Sequence, residues 1–177
     1  MYSITELVKT GNQLFHTADL AVIWQINKRG TLYTRIYRYI KRGILFPIHK
    51  GLYSIIPPEK LDPIKIGQAV NHGYCYLTAE KVLESHGVIN RRVEGYTFVG
   101  EKNKRFELLG NRYSFRKLKK DYLYRNIGIS ADNGPFVSSL ERAVADILYY
   151  NRNFNFDHPN IINWDKVKKI QKEVGYI

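Results

Sequence analysis

Arginine and threonine at helical spacing are the residues of this sequence best suited to chemistry, and that chemistry is recognition. Thr31, Arg35, Arg38 and Arg42 are separated by three or four positions, so in a helix turning about 100° per residue they fall in one sector. A guanidinium is a planar fork of donors that matches guanine O6 and N7 or two phosphate oxygens, and a threonine hydroxyl makes shorter contacts. Arg35 and Arg38 are therefore expected to meet base edges, with Thr31 and Thr34 near the helix start. Lys28, Arg29, Arg42, Lys50 and His49 are expected to hold backbone phosphates. Seven cations and no acid lie between Asp19 and Glu59. The competing reading of Arg35, Arg38 and Arg42 is a solvated helix face.

Other chemistry has less support. His16, His49, His72, His86 and His158 lack HxxxH or HExxH spacing, and Cys75 is the single cysteine, so neither a zinc site nor an internal disulfide is expected. No GxxxxGK[ST], GxGxxG or GxSxG motif occurs, so no cofactor and no enzymatic activity are expected. A Mg²⁺-dependent nuclease is the catalytic rival and would have to recruit Asp62 with Lys65, Glu80 with Lys81, and Glu107, which form no strand-borne Asp…Glu-x-Lys pattern. A protein-interaction module is a third possibility.

The elements that must position the cationic residues form a short series. Ser3 with Glu6 is a capping box, Ile4, Leu7 and Val8 follow at helical spacing, and Gly11 can stop that helix. Leu14 and Phe15 suit a brief strand. Thr17 can cap a second helix whose Leu20, Ile23 and Trp24 point one way, ending near Gln25. A turn through Asn27 and Gly30 leads to a third helix, about Thr31 to Arg42, buried along Leu32, Ile36, Tyr39 and Ile40. Tyr33, Tyr37 and Tyr39 are expected to pack. Leu45 to Ile55 reads as two strands around a turn at His49, Lys50 and Gly51. Three helices and a hairpin are the winged helix-turn-helix order, so residues 1–58 are expected to bind double-stranded DNA.

Pro57 and Pro58, then Asp62 and Pro63, place a boundary near Glu59, and residues 59–177 are expected to form a second, α+β domain. A helix over Pro63 to Val70, a strand over Tyr74 to Leu77 and a helix capped by Thr78 are expected first. Tyr96 to Val99, Arg105 to Leu109, Arg112 to Leu118 and Tyr122 to Ile129 read as antiparallel strands. Ser138 with Glu141 should cap a helix buried along Leu140, Val144, Ile147 and Leu148, and Asn163 or Trp164 starts a last one. Lys102, Lys104, Arg105, Arg112, Arg116, Lys117, Lys119, Lys120 and Arg125 form a second basic cluster among Tyr113, Phe115, Tyr122 and Tyr124. It reads either as further nucleic-acid contact or as strand alternation with aromatics inward and cations solvated. Asp146 is expected to cap or hydrogen-bond.

The 177 residues suffice for two small domains, and 44% hydrophobic and 14% aromatic content suffices for cores. A net charge of +12 attracts polyanions, although ribosomal, membrane-surface and merely soluble proteins share such a balance. No apolar run reaches signal-peptide or membrane-span length, so a soluble protein of the reducing cytoplasm is expected, with no membrane contact.

Several blocks resemble a known family. FHTADLAVIW, a helix ending YIKRGIL and the hairpin KGLYSI look like the N-terminal domain of the AbiE-type abortive-infection antitoxins. DPIKIGQAV, then YCYLTAEKVLESHGVI, resemble the segment after that domain, and SSLERAVADILYY resembles a later helix with a Glu-Arg/Lys-Ala-x-x-Asp pattern. The resemblance implies a two-domain antitoxin of a type IV toxin-antitoxin system, which represses its own operon and counters a nucleotidyltransferase-like toxin. The C-terminal part is shorter than in many relatives and matches more patchily. Relatives known only as transcriptional regulators share these blocks, so a stand-alone regulator is the alternative.

Overall fold

Helix α1 (Ile4–Lys9) and strand β1 (Leu14–His16) begin the computed structural model, which describes residues 4–131 and 134–177. Ser3 lies outside the described residues. The chain divides into two compact units, Met1–Val70 and Asn71–Ile177, so the segment from Glu59 to Val70 falls with the first unit, later than the expected boundary.

In the first unit, β1 runs straight into α2 (Thr17–Ile23), and a turn at Trp24 to Lys28 leads to α3 (Arg29–Lys41). Strands β2 (Phe46–His49) and β3 (Leu52–Ser54) follow as an antiparallel hairpin, and β1 pairs with β3 to give a three-stranded sheet in the order β1-β3-β2. This is a winged helix-turn-helix. Its core gathers Leu7, Phe15, Leu20, Trp24, Leu32, Ile36 and Leu45, drawn from α1, β1, α2 and its C-cap, α3 and the residue before β2. Val8 is exposed on the six-residue α1, and Ile23 is half-buried at the last position of α2, because helices this short offer the core a narrower stripe than their apolar composition suggests. Beyond a 3-10 turn at Pro58–Lys60, α4 (Pro63–Asn71) opens with Asp62 Oδ1 accepting the Ile64 N–H at 2.8 Å.

Three local expectations change. Thr17 is inside α2 rather than its cap: His16 precedes the helix, and its N–H donates to Asp19 Oδ2 at 2.7 Å. Thr17 instead gives both its N–H (2.9 Å) and its hydroxyl (3.2 Å) to the Gly51 carbonyl, tying the start of α2 to the wing turn. Helix α3 begins at Arg29, so Gly30 sits in its first turn, where no N–H has an intrahelical acceptor and a glycine costs least.

The second unit holds a six-stranded sheet in the order β6-β7-β5-β4-β9-β8. Its strands are β4 (Tyr76–Leu77), β5 (Tyr96–Gly100), β6 (Lys104–Leu108), β7 (Asn111–Lys117), β8 (Ile129–Ser130) and β9 (Val137–Ser138). The helices are α5 (Glu80–Ser85), α6 (Lys120–Leu123), α7 (Leu140–Tyr150) and α8 (Trp164–Val174). The architecture is α+β, but the sheet is mixed: β5 runs parallel to β7, and β4 to β9.

A buried polar network explains where this unit departs from its sequence pattern. Arg142 and Asp146 are 0% and 1% exposed and pair at 2.9 Å within α7. Asp146 also accepts the hydroxyls of Tyr76 (3.0 Å), Thr78 (2.8 Å) and Tyr176 (2.6 Å). Arg142 donates to the Tyr76 hydroxyl and to the carbonyls of Arg125, Ile127 and Tyr122. Those carbonyls are thereby turned to a guanidinium rather than a ladder, so 122–128 is no strand but the end of α6 and a turn, and only Ile129 of the expected strand belongs to one, β8. Thr78, committed to Asp146, does not cap α5; Ala79 precedes that helix. Ser139, not Ser138, caps α7 by accepting the Arg142 N–H at 3.2 Å, because Ser138 is paired with Ile129. Asn163 caps α8 as expected.

Candidate nucleic-acid interface

Helix α3 buries Leu32 and Ile36, and the position opposite their midpoint is Thr34. Measured from Thr34 at about 100° per residue, Lys41 lies about 20° away, Arg38 and Gly30 about 40°, Thr31 and Tyr37 about 60°, and Arg42 about 80°. All are exposed, as are Lys28, Arg29, His49 and Lys50. Eight of the nine sequence-predicted site residues thus stand at the surface of one small unit.

Arg35 differs. About 100° from the outward centre, it is half-buried, with its guanidinium 5.7 Å from the Trp24 ring centroid and its Nη1 enclosed without a hydrogen-bond partner. Trp24 is fully buried and meets Tyr39 edge-on at 5.2 Å, so Arg35 extends a stack that joins α2 to α3.

Two other cations of the helix lie over exposed rings, Arg29 over Tyr33 and Lys41 over Tyr37, each at 5.5 Å. Tyr33 and Tyr37 are 43% and 59% exposed, so of the three tyrosines expected to pack only Tyr39 does. No described carboxylate pairs with any of the seven cations from Lys28 to Lys50. Thr34 donates its hydroxyl to the Gly30 carbonyl at 2.9 Å, which leaves its methyl and oxygen lone pairs for an outside partner.

The wing lies alongside. Its strands pair Phe46 with Ser54 and Pro47 with Tyr53, then shift register so that His49 faces Leu52, and Gly51 closes the turn at φ +74°. Between this hairpin and α3 runs a groove of about 710 Å³ lined by Tyr33, Ile40, Pro47, His49, Lys50 and Tyr53, among others. Its walls are aromatic and apolar, with Lys50 as the cation of the lining.

A face centred on Thr34 rather than between Arg35 and Arg38 also takes in Lys41, Gly30 and Tyr37, which the spacing of the cations does not single out. The signal for them was present: measuring angles from Leu32 and Ile36 instead puts Thr34 at the centre.

The second basic cluster is arranged otherwise. Arg112 pairs with Glu94 (3.1 Å) and Glu107 (2.9 Å), Arg116 with Glu80 (2.7 Å), and Lys120 with Glu101 (3.4 Å). Tyr113 and Phe115 are buried, whereas Tyr124 is exposed and donates to Glu101 at 2.7 Å. Buried aromatics alternate with outward cations along β7, and carboxylates neutralise three of the nine cations, Arg112, Arg116 and Lys120. The acids a nuclease would recruit are also engaged: Glu80 and Glu107 hold arginines and Asp62 opens a helix. Among the described residues no three His, Cys, Asp or Glu side chains gather as a metal site would require, and no helix is long and apolar enough to cross a membrane.

No protein-family model and no curated protein matches this sequence. Among solved structures, the fold is similar to that of the Rv2827c protein from Mycobacterium tuberculosis, with a TM-score of 0.58 at 12% identity over 96% of this chain and 69% of that one.

Proposed function

We propose that this chain is a sequence-reading, double-stranded-DNA-binding regulator, which inserts α3 into a major groove and lays the wing along the flanking backbone. The observation that carries this reading is the face of the winged-helix unit on which none of the seven cations from Lys28 to Lys50 pairs with a described carboxylate, whereas in the second basic cluster Arg112, Arg116 and Lys120 are paired. A helix fits the major groove, and phosphate contacts fix its register while outward side chains read bases. Thr31, Thr34, Arg38 and Lys41 face the bases; Lys28, Arg29, Arg42, His49 and Lys50 flank them as phosphate contacts. Arg35 supports the face from behind through Trp24.

The resemblance of the sequence blocks to AbiE-type antitoxins supports a narrower role: autorepression in the cytoplasm, with the second unit countering a nucleotidyltransferase-like toxin encoded alongside. The test of DNA binding is a gel-shift titration against DNA from upstream of the gene and against scrambled DNA, at two salt concentrations. Preferential, salt-sensitive binding upstream supports the regulator; equal binding of both DNAs overturns it. Co-expression with the neighbouring gene product then separates the two roles: rescue of growth marks an antitoxin, and toxicity unchanged marks a stand-alone regulator.

A further inference from the structure

We infer that α3 reads a guanine through Arg38 and, within two base-pair steps of it, a thymine methyl through Thr34. This rests on the DNA-binding reading above and adds the identity of the bases.

Of the arginines on α3, Arg29 lies over Tyr33 and Arg35 over Trp24, whereas no described carboxylate or aromatic ring engages Arg38. Arg42 follows the last helical residue, Lys41, and stands about 80° from the outward centre, at the flank where phosphates run. Arg38 stands about 40° from that centre, inside the helix, with its whole fork disengaged. A free fork facing the groove floor finds its best-matched partner in the O6 and N7 acceptors of guanine.

Thr34 is at the centre itself. Its hydroxyl proton is committed to the Gly30 carbonyl, so it is a poor donor to bases and presents a methyl and lone pairs. Apolar contact with the thymine C5 methyl is the recognition this permits, and Gly30, with no atom within 4 Å of where a Cβ would stand, lets the groove wall come close to the first turn. Four residues of helix advance about 6 Å, against about 3.4 Å for one base step, so the two bases read are neighbours or separated by one pair.

The experiment is selection of binding sites from randomised duplexes by the full-length protein, followed by titration of the selected site. The expected consensus contains a guanine with a T·A pair within two steps. Replacing that guanine by 7-deazaguanine, which lacks N7, is expected to weaken wild-type binding about tenfold and to leave Arg38→Gln unchanged. Arg38→Lys keeps the charge without the fork, so it should lose preference at that position while keeping its salt slope. Thr34→Ser should lose preference only at the T·A pair. Arg112→Gln, in the second unit and paired with Glu94 and Glu107, should retain the whole consensus. An Arg38→Gln protein that selects the same guanine overturns the inference and leaves the DNA-binding reading standing. A wild-type protein that enriches no sequence at low salt overturns both.

Discussion

At the scale of single residues, the strongest constraint is the Arg142–Asp146 pair. Burial opposes the Arg142 charge, but the adjacent Asp146 carboxylate holds it protonated well above its usual range, and burial together with Asp146 pushes the Tyr176 hydroxyl up. Four donors converge on Asp146, so its removal leaves the Arg142 cation buried without its carboxylate partner. Asp146→Asn is expected to destabilise the second unit by about 3 to 5 kcal/mol in urea denaturation. Cys75 illustrates the opposite use of burial. Desolvation lifts its thiol to about 12, so it remains a thiol at neutral pH, and the native protein should react with iodoacetamide far more slowly than the unfolded chain.

At the scale of elements, the wing is held by a hydrogen-bonded tether to α2 as well as by its own two short strands. Gly51 has φ +74° and its Cβ position lies 3.3 Å from the Thr17 hydroxyl, whose donation to the Gly51 carbonyl closes the hairpin onto α2. Gly51→Ala is expected to cost about 1 to 2 kcal/mol and to weaken DNA binding, as read by thermal unfolding and gel shift. Helix α5 is fastened by Glu84, whose carboxyl is held below its ordinary range by the Lys81 ammonium at 2.7 Å and then by the Val93 N–H at 3.1 Å. A depressed folded value means stability that is present above the unfolded value and lost as pH falls through the folded one. Glu84→Gln should therefore be less stable than wild type at pH 7 and indistinguishable at pH 2 to 3, compared by chemical denaturation.

At the scale of the whole molecule, a net charge of +12 is distributed in two different ways. In the first unit the seven cations from Lys28 to Lys50, on and around α3 and the wing, have no described carboxylate partner; in the second, Arg112, Arg116 and Lys120 face carboxylates. Counterion release makes log K fall against log salt by about 0.9 per phosphate contacted. Replacing both Lys28 and Lys50 by Gln is expected to flatten that slope by about two units. Arg112→Gln, which breaks exposed pairs with Glu94 and Glu107, should leave it unchanged. Equal effects of the two changes would mean that the second unit also lies on DNA.

The sequence by itself determined the order of the winged-helix elements and the cationic character of α3. Both depend on local regularities: a 3.6-residue period in Leu32, Ile36, Tyr39 and Ile40, turn-forming Gly51, and an uninterrupted run without acids. Most strands of the second unit were legible for the same reason. What tertiary structure decided is which of several chemically equivalent groups is occupied. On a helical wheel drawn from the cations Arg35 and Arg38 are indistinguishable; the packing of Trp24 between α2 and α3 shows that Arg35 is the one drawn out of the surface, onto the Trp24 ring. Likewise Thr17, Thr78 and Ser138 each match a capping signal, but a capping hydrogen bond is worth only about 1 kcal/mol. A distant carbonyl, a buried carboxylate and a strand partner claimed those three residues instead, through contacts 34 and 68 residues away along the chain for the two threonines.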